Sequence, residues 1–375
     1  MVSKFRILIS KFFTITNFVL AVIFLLACLA PYLDPVKWWF ISWLGFIFPL
    51  LFFLLVISIF FWLFLKPKYA FLLLIVLLIG WKSISVFFSF HLPHEFKAEK
   101  APGALRIITW NVARFMEIKK NNDAGSQTRL KMMEQLRQQN ADIICMQEFY
   151  TAEREDYYDN ISYIQKNLGY PYYYFNFRED GDKQYFSSVI FSRLPIIDSG
   201  ILIYPRPSSP EALLHIDVRL NNDTIRIFTS HLQSVQFKKR DYERIDEIKN
   251  YDEGIVSNSR TIFSKLRRGF ENRSIQANSI REQISQGPHP VVLCGDFNDI
   301  PNSYTYFTVH KNMQDAFLLK GNGIGRTFNS ISRTLRIDYI LTSKEFSVLQ
   351  FKRFVKNLSD HYMLIADLEL TAHQQ

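Results

Sequence analysis

The first 90 residues contain three apolar runs that are almost free of charge. Residues 12–33 and 38–65 carry no charged side chain, and residues 69–90 carry only Lys82. A helix needs ~20 apolar residues to cross the hydrocarbon core of a bilayer, and each run is long enough. The pattern predicts a membrane domain over residues 1–90 with three transmembrane helices. The alternative, a signal peptide followed by buried core helices, fits less well because a signal sequence has one short apolar stretch.

The charges that flank these runs predict an orientation. Lys4, Arg6 and Lys11 precede the first run, and Lys66 and Lys68 lie between the second and the third. Basic flanks tend to stay in the cytoplasm, so the N-terminus is expected inside. After three crossings the rest of the chain lies outside. In a bacterium this predicts an integral inner-membrane protein whose soluble domain faces the periplasm.

Beyond residue 90 the apolar runs become short and alternate with polar segments. Residues 91–104 contain Pro93, Pro102 and Gly103 and are interpreted as a linker before one domain over residues 105–375. Helical spacing predicts a helix over residues 128–140, and residues 235–286 are mostly helical in pattern. Short apolar runs predict strands over residues 105–110, 141–147, 187–191, 215–220, 225–230, 290–294, 335–341 and 363–370.

Strands therefore dominate this domain, with helices between them. Asn221, Asn222 and Asp223 separate two of the predicted strands and predict a hairpin turn. The order of the elements is compatible with an α/β fold in which two packed β-sheets are flanked by helices, a four-layer sandwich, preceded by the three transmembrane helices, but it leaves several other two-sheet folds open.

Composition and charge exclude several classes of protein. Hydrophobic residues make up 48% of the 375 residues, but they are concentrated at the N-terminus, which excludes a single soluble globule. The net charge of +9 is concentrated there too: the first 100 residues carry nine Lys and Arg against three Asp and Glu. The remaining balance of +3 does not indicate a nucleic-acid-binding surface. Three cysteines do not form a disulfide framework.

The candidate chemistry lies at the ends of the predicted strands. A strand cap or a turn residue explains any one of these polar positions alone. Their repetition predicts a shared cleft, because strand ends converge at one edge of packed sheets. Carboxylates, amides and two histidines together supply ligands for a hard cation and groups for acid–base catalysis. The positions are Asn111, Glu148, His231, Asp296, Asn298, Asp338, Asp360 and His361.

The short runs around these residues resemble the endonuclease/exonuclease/phosphatase superfamily. They are Trp-Asn-Val at 110–112, Gln-Glu at 147–148, Ser-His-Leu at 230–232, Gly-Asp-Phe-Asn at 295–298, Arg-Ile-Asp-Tyr at 336–339 and Ser-Asp-His at 359–361. This group of metal-dependent phosphoesterases includes pancreatic-type deoxyribonuclease, apurinic endonucleases, neutral sphingomyelinases and inositol polyphosphate phosphatases. The similarity spans about residues 105–370 in family order.

The resemblance implies a divalent cation, Mg²⁺ or Mn²⁺, and residues that hold it. Glu148 matches the family's metal ligand, and Asn111 matches the amide that supports the metal or the phosphate. Asp360 is a candidate second metal ligand. Asn298 matches the residue that holds a phosphate oxygen. Ala113 stands where apurinic endonucleases carry an acid, which places a second metal site of that kind in doubt.

The resemblance also implies catalytic roles. Asp296 matches the carboxylate that orients or deprotonates the attacking water. His361 matches the histidine that contacts the scissile phosphate, and Asp338 is expected to bond its other nitrogen. His231 matches the second histidine of the deoxyribonuclease, sphingomyelinase and inositol-phosphatase branches, and either stabilises the phosphoryl oxygens or protonates the leaving oxygen. His215, His289 and His310 match no motif and are interpreted as ordinary surface or core histidines.

Two further segments have a structural and a functional interpretation each. The aromatic-rich residues 157–175 either pack at a sheet edge, which is favoured, or contact bases or lipid. The basic residues of 258–282 form either a solvated helical face, the usual meaning of such a pattern, or a surface for a polyanion or anionic headgroups.

The hypothesis is a membrane-anchored phosphoesterase that hydrolyses a phosphodiester or phosphomonoester. A lipid headgroup is a candidate substrate, since Ser-His-Leu-Gln at 230–233 is similar to the sphingomyelinase branch. The expected partners are a phosphoester substrate and membrane lipids, with nucleic acid as a substrate only and no partner protein implied. Two alternatives stay open: an extracytoplasmic nuclease, and a non-catalytic anchored binding module.

Overall fold

The computed structural model describes most of the chain and shows two compact units, which are treated separately. The described residues are 2–92, 95–121, 126–205, 211–235, 255–330, 332 and 334–371, without the side chains of 2–10 and 255–258. The first unit comprises the described parts of residues 1–87, 237–274 and 300–308. The second comprises the described parts of residues 88–236, 275–299 and 309–375.

The first unit begins with five helices. Proline or glycine interrupts two of the predicted apolar runs. The run 38–65 breaks at Ile47, with Pro49 in the first turn of the next helix, where its missing N–H costs nothing. The run 69–90 breaks at Gly80, where a Cβ would lie 2.6 Å from the ring of Phe24. The helices are α1 (Val2–Ala27), α2 (Pro35–Phe46), α3 (Phe48–Leu65), α4 (Pro67–Ile79) and α5 (Trp81–Ser85).

These breaks change the predicted number of transmembrane helices. Within the described residues, two helical stretches are long and apolar enough to cross a membrane: Lys11–Tyr32 with 22 residues and Phe48–Leu65 with 18. Helix α4 has 13 residues, a length of ~20 Å at the usual rise, against a hydrocarbon core of ~30 Å. The prediction of three transmembrane helices is therefore corrected to two candidates.

The helices of the first unit pack in an antiparallel arrangement. Phe13 contacts Phe61 at 5.2 Å between ring centroids, and Phe24 contacts Phe48 at 5.4 Å, so α3 runs opposite to α1. Trp62 and Tyr69, 4.8 Å apart, join α3 to α4 at the far end. Helices α4 and α5 then return to the end where α1 finishes, because Phe87 lies 6.2 Å from Phe48.

Segments from much later in the chain complete the first unit. They come from helix α8 (Ile255–Gln286) and from residues 300–308, which include the start of α9 (Tyr304–His310). The indole of Trp43 lies 4.0 Å from the ring of Phe263 in α8. The Asn302 side chain donates a hydrogen bond of 3.1 Å to the Ala27 carbonyl at the end of α1. The helical prediction for residues 235–286 holds from Ile255 onward, and residues 236–254 lie outside the described residues.

The second unit contains two six-stranded mixed sheets. The first has the order β13-β14-β2-β3-β5-β4, and the second has the order β10-β12-β9-β8-β7-β6. Each contains one parallel pair, β2–β3 or β8–β9, and its other pairs are antiparallel. The strands of the first sheet are β2 (Leu105–Asn111), β3 (Ile143–Ala152), β4 (Tyr172–Phe175), β5 (Gln184–Ser192), β13 (Phe346–Phe354) and β14 (Met363–Leu370).

The second sheet and a short ribbon account for the other strands. The predicted hairpin is confirmed, since β7 and β8 are antiparallel and Leu220 pairs with Asp223. The strands of the second sheet are β6 (Ile196–Ile203), β7 (Ala212–Leu220), β8 (Asp223–His231), β9 (Val291–Asp296), β10 (Gln314–Asp315) and β12 (Asp338–Thr342). The ribbon pairs β1 (Ser89–Phe90) with β11 (Asn322–Gly323).

The two sheets pack face to face around a buried apolar core. Ile107 and Cys145 from the first sheet meet Ile216 and Cys294 from the second in one cluster. On the outer face of the first sheet, Met132 and its neighbours in α6 (Thr128–Gln139) form a second cluster. The remaining helices are α7 (Asn160–Tyr163) and α10 (Ala316–Lys320). The predicted fold class, two packed sheets flanked by helices, is confirmed.

Candidate functional site

Four of the predicted polar residues occupy strand ends that meet at one edge of the sheets. Asn111, His231 and Asp296 are the last residues of β2, β8 and β9. Because β8 and β9 are parallel, His231 and Asp296 lie side by side in register. Asp338 begins the antiparallel strand β12 and pairs with Asp296 from the other side. The sheet register alone therefore brings these side chains to one place.

Glu148 reaches the same place because its strand is irregular. The register between β3 and β5 shifts between Met146 and Phe149, which is the signature of a β-bulge. Glu148 lies in this bulge with a φ of +51°, a conformation that non-glycine residues rarely adopt. Its carboxylate oxygen Oε1 lies 3.4 Å from the amide nitrogen of Asn111, which donates to it. Its side chain remains 32% exposed, so this carboxylate is open to an incoming ion.

Gly295 permits the close approach of the two parallel strands at the site. Its φ is +154°, and a Cβ at this position would lie 2.0 Å from the carbonyl oxygen of Ser230. Any side chain would push β9 away from β8. The glycine before Asp296 is thus required by the backbone geometry that sets His231 beside Asp296.

Asp296 is the centre of the site. Its Oδ2 accepts a hydrogen bond of 3.0 Å from the amide of Asn111, and its Oδ1 accepts one of 2.8 Å from the backbone N–H of Asn298. The Nε2 atoms of His231 and His361 lie 3.7 and 3.6 Å from Oδ2. Burial raises the pKa of Asp296, and the two histidines oppose that shift. The carboxylate is therefore held in one orientation by neutral donors and flanked by two imidazoles.

His361 is held as a cation by its carboxylate neighbours. Its Nδ1 lies 2.9 Å from Oδ2 of Asp338, and its backbone carbonyl accepts a hydrogen bond of 3.0 Å from the indole N–H of Trp110. Burial alone would lower the pKa of His361, but Asp338 and Asp296 outweigh that effect and raise the pKa to about 10. The ring is therefore protonated at neutral pH, with its Nε2–H directed toward Asp296.

His231 has a carboxylate partner that the sequence analysis did not single out. Oε1 of Glu211 lies 3.7 Å from Nδ1 of His231. Burial lowers the pKa of His231, but Glu211, Asp296 and Glu148 outweigh it, so the pKa is raised. Burial also raises the pKa of Glu211. Glu211 belongs to no motif, and its only signal in the sequence is an acid placed directly before the apolar start of β7.

The Nε2 atom of His231 faces the space between Glu148 and Asp296. It lies 3.9 Å from Oε1 of Glu148 and 3.7 Å from Oδ2 of Asp296. None of the described residues gives this buried atom a hydrogen-bond partner. A buried N–H without a partner is costly, so this atom marks a position that a further oxygen would complete.

Asn298 and Asp360 lie one step from this centre. The side-chain amide of Asn298 donates a hydrogen bond of 3.0 Å to the carbonyl of Leu232. Oδ1 of Asp360 accepts a hydrogen bond of 3.1 Å from the hydroxyl of Ser359. Burial raises the pKa of Asp360; His361 lowers it, and Glu148 raises it further. The structure thus brings all eight predicted residues into one region, with Glu211 added.

Ala113, two residues after Asn111, stands where apurinic endonucleases carry an acid, and it contacts Asn111 through its backbone. The backbone N–H of Ala113 donates a hydrogen bond of 3.1 Å to Oδ1 of Asn111. This bond turns the amide group so that its nitrogen faces Asp296. Residue 113 therefore contributes through its backbone rather than through a side chain.

The comparisons with known proteins agree with this geometry. Residues 108–361, more than half of the chain, match the Endonuclease/Exonuclease/phosphatase family. The chain belongs to this family. Residues 10–87 match a separate domain of unknown function. No curated protein sequence matches the chain.

Three solved structures are similar to this chain. An endonuclease/exonuclease/phosphatase from Beutenbergia cavernae superposes with a TM-score of 0.50 at 17% identity, over 72% of each chain. A humanized TDP2 of D. rerio gives a TM-score of 0.49 at 17% identity, over 71% of this chain and 99% of that chain. The catalytic domain of human Nocturnin gives 0.49 at 16% identity, over 73% and 97%.

Enzymes of the Endonuclease/Exonuclease/phosphatase family use divalent metals, and the residues here fit such an ion. The tightest group of ligand atoms joins Asp296, Asp338 and His361 within 4.8 Å. This group contains none of the predicted ligands. Its members His361 and Asp338 are close because they share a hydrogen bond of 2.9 Å, which needs no metal ion. Glu148, with its exposed carboxylate, fits a ligand better.

The charge balance of the site points the same way. Five carboxyl groups lie around two imidazoles, so acidic side chains outnumber basic ones at the site. Hard oxygen donors with an excess of negative charge suit Mg²⁺ or Mn²⁺. The carboxylates are Glu148, Glu211, Asp296, Asp338 and Asp360.

Proposed function

We propose that the protein is a membrane-anchored phosphoester hydrolase that works with Mg²⁺ or Mn²⁺. The observation that carries the proposal is the position of Asp296, whose Oδ2 lies within 3.7 Å of Nε2 of both His231 and His361. A carboxylate between two imidazoles can orient water at an electrophile whose negative oxygens the two rings bind. A binding module has no physical need for this arrangement.

Asp296 acts on the attacking water. The hydrogen bonds from Asn111 and from the backbone of Asn298 fix both carboxylate oxygens. A fixed carboxylate can accept the proton of a water while holding its oxygen in line with phosphorus. The protonated ring of His361 sits beside it and donates its Nε2–H to a phosphoryl oxygen.

His231 acts on another oxygen of the same phosphate. Its Nε2 lies between Glu148 and Asp296 and finds no hydrogen-bond partner among the described residues. A phosphoryl or leaving oxygen placed there accepts the hydrogen bond, and the raised pKa of the ring makes the proton available. Asn298, whose backbone N–H binds Oδ1 of Asp296, is a candidate for a further phosphate donor.

Glu148 and Asn111 would hold the divalent cation, with Asp360 as a candidate second carboxylate. When bound, the ion neutralises the charge of the phosphate and the charge that develops during hydrolysis. Glu148 contributes an exposed carboxylate oxygen. Asn111 links it to Asp296, since the amide nitrogen lies 3.4 Å from one carboxylate and 3.0 Å from the other.

The apolar helices of the first unit are proposed as the anchor. The basic residues Lys11, Lys66 and Lys68 lie near the end where α1 begins and α3 ends. By the positive-inside rule this end stays in the cytoplasm. The opposite end, where α1 finishes, would face outward, toward the periplasm of a bacterium. The chain enters the second unit on this side because α4 and α5 return to it, and this orientation requires the two to cross the bilayer together as one broken segment. A site tethered to a membrane makes a lipid headgroup the first substrate to test.

The experiment is hydrolysis of bis-p-nitrophenyl phosphate by the full chain in neutral detergent. We expect turnover with Mg²⁺ or Mn²⁺, none with EDTA, and a loss of at least ~100-fold in Asp296→Asn. Asp223→Asn, in the exposed hairpin turn, is the matched control and should retain activity. Turnover that is insensitive to EDTA or to Asp296→Asn would contradict the proposal of a metal-dependent hydrolase that uses Asp296.

The same preparation separates the substrate classes. Phospholipid and sphingomyelin vesicles test for headgroup hydrolysis, and plasmid DNA tests for nuclease activity. Release of a phosphorylated headgroup with no DNA cleavage supports a lipid substrate, and the reverse result supports an extracytoplasmic nuclease. No metal-dependent turnover on any of these substrates would favour a binding module.

A further inference from the structure

Helix α2 connects the same ends of the two candidate membrane-spanning helices. The first, Lys11–Tyr32, finishes just before Pro35, and the second begins at Phe48, with only Ile47 between it and the last residue of α2. The two run antiparallel, with Phe24 beside Phe48 at this end. If both cross the bilayer, as the proposed anchoring requires, α2 lies at the membrane surface.

The residues of α2 suit that position. Trp38 and Phe40 are each 45% exposed, and Lys37, which precedes Trp38 in the helix, is exposed as well. Asp34, which caps the helix by accepting a hydrogen bond of 3.0 Å from the N–H of Val36, is the nearest acid before them in the chain. Tryptophan favours the headgroup region because its ring is apolar with one polar edge.

The first half of α8 is fixed to α2. The ring of Phe263 lies 4.0 Å from the indole of Trp43, and the guanidinium of Arg267 stacks on Trp39 at 4.9 Å. Beyond the midpoint of α8, the hydroxyl of Ser274 donates a hydrogen bond of 3.3 Å to the carboxylate of Asp34. These contacts run along the whole length of α2. The first half of α8 therefore lies at the same surface, although it is more than 200 residues away in sequence.

This half of α8 presents a basic face. Arg260, Phe263, Arg267 and Arg268 follow the helical spacing that places residues on one side. All four are exposed, and Phe263 is 47% exposed despite its apolar ring. Glu271 pairs with Arg267 at 2.7 Å, which offsets one of the three charges. The remaining charge is positive, and arginine beside an exposed aromatic ring is typical of a surface that binds anionic headgroups.

We propose that α2 and the first half of α8 together form a surface that binds anionic phospholipid headgroups. This headgroup surface consists of Lys37, Trp38, Arg260, Phe263 and Arg268, with Arg267 stacked between the helices. It explains why α2 is separate from α3 rather than part of one longer membrane helix. It also explains why a charged segment of the soluble region packs against the N-terminal helices.

The test measures lipid selectivity by native mass spectrometry of the purified full chain in neutral detergent. Phosphatidylglycerol and phosphatidylcholine are added in equal amounts, and the ratio of the bound lipids is counted. We expect an excess of phosphatidylglycerol. Each basic residue near a membrane surface is worth ~1 kcal/mol, about fivefold in binding. Lys37→Gln with Arg260→Gln and Arg268→Gln should therefore lower the ratio by at least ~10-fold. Arg267 is left intact because it contacts Trp39.

The matched control neutralises three exposed lysines of the second unit, Lys166, Lys320 and Lys344, each changed to Gln. It should leave the lipid ratio unchanged. An equal fall in this control, or no fall in the first variant, overturns the headgroup surface. Binding of a single-stranded oligonucleotide in place of phosphatidylglycerol, lost in the first variant, would assign the surface to nucleic acid instead.

A second measurement separates this proposal from the anchor on which it rests. Carbonate extraction of membranes that contain the full chain shows whether the helices are inserted. Retention in the membrane with no lipid selectivity leaves the anchor standing and removes the headgroup surface. Release by carbonate removes both. Neither readout depends on hydrolysis, so the catalytic assignment is judged separately.

Discussion

Oε1 of Glu211 lies 3.7 Å from Nδ1 of His231, and Oδ2 of Asp338 lies 2.9 Å from Nδ1 of His361. Each imidazole thus has a carboxylate behind it and directs Nε2 toward Asp296. A carboxylate at Nδ1 fixes both the orientation and the charge of the ring. The two histidines therefore have the same kind of partner, but only the contact with Asp338 is short enough for a hydrogen bond, and Glu211 acts on His231 through its charge.

Replacing Glu211 by Gln should weaken His231 as a proton donor. Glu211 is the largest of the influences that raise the pKa of His231, so its loss lowers that pKa. A lower pKa means that the ring loses its proton at a lower pH. The alkaline limb of the pH–rate profile should move to lower pH, and activity at pH 8 should fall by at least ~10-fold. The profile is measured with bis-p-nitrophenyl phosphate at saturating Mg²⁺.

The control for this change is Glu155→Gln, at an exposed position of the second unit. It should keep the profile of the unchanged protein. An unshifted alkaline limb in Glu211→Gln would show that His231 does not depend on Glu211 for its charge.

The stability of the second unit should depend on pH through His361. Its pKa is raised to about 10 in the folded protein, against ~6.5 in an unfolded chain. His361 binds its proton more tightly in the folded protein than in the unfolded chain. Its contribution to the free energy of unfolding is therefore complete at a pH below its pKa in the unfolded chain. That effect is lost as the pH rises through the folded pKa. Asp338→Asn removes the largest of the influences that raise the pKa of His361.

The measurement is the difference in melting temperature between the unchanged protein and Asp338→Asn, with EDTA present, from pH 6 to pH 10. This difference should be largest near pH 6 and should shrink toward pH 10. Asp223→Asn should show no such trend. A difference that stays constant over this range would mean that the Asp338–His361 pair acts through packing alone.

Much of the site could be predicted because its residues follow apolar strands. Asn111, His231 and Asp296 each close a strand, and the strand ends meet at one edge. Glu211 could not be found in this way. It precedes β7, and it reaches His231 through the antiparallel register in which Leu213 pairs with Ser230. That register is a tertiary property that no local pattern of residues reveals.

The sequence prediction misses four strands of the two six-stranded sheets, and all four are edge strands. They are β4, β6, β10 and β13, at the ends of the two sheets. A strand with one neighbour is partly exposed, so it carries polar residues and lacks the continuous apolar run of a central strand. Strand β6 shows this plainly, with Ile197 56% exposed and Ile203 66% exposed.

The membrane helices show a different limit. Hydrophobicity identified the apolar runs but not the breaks inside them, since Ile47 and Gly80 are as apolar as their surroundings. Pro49 and Gly80 were the available signals. The packing of Asn302 on Ala27 was beyond sequence reasoning, because it joins segments 275 residues apart.

Glu148→Gln should weaken metal binding without unfolding the protein. The carboxylate is the most exposed acid of the central site and keeps one amide donor, so an amide side chain fits the same space. Loss of a charged oxygen ligand should raise the Mg²⁺ concentration needed for half-maximal activity by about 10-fold or more. The rise in melting temperature on addition of Mg²⁺ should shrink in parallel.

Glu155→Gln serves again as the control and should bind Mg²⁺ as the unchanged protein does. Activity that is restored at high Mg²⁺ would support a ligand role. An unchanged Mg²⁺ dependence in Glu148→Gln would remove Glu148 from the metal site.

Gly295→Ala tests whether the site depends on the close approach of β8 and β9. A methyl group there would meet the carbonyl of Ser230 at 2.0 Å, and the φ of +154° adds backbone strain. The two effects together should lower the free energy of unfolding by more than about 3 kcal/mol. Gly169→Ala is the matched control, since φ is +75° and no atom lies within 4 Å of a Cβ. Gly169→Ala should lower the free energy of unfolding only by the strain of a left-handed residue, about 1–2 kcal/mol.

The free energies of unfolding are measured by chemical denaturation. Equal losses in the two variants would mean that backbone conformation, rather than the contact between the strands, requires glycine at position 295. A greater loss at Gly295, with activity falling as His231 and Asp296 separate, would tie the catalytic geometry to this strand contact.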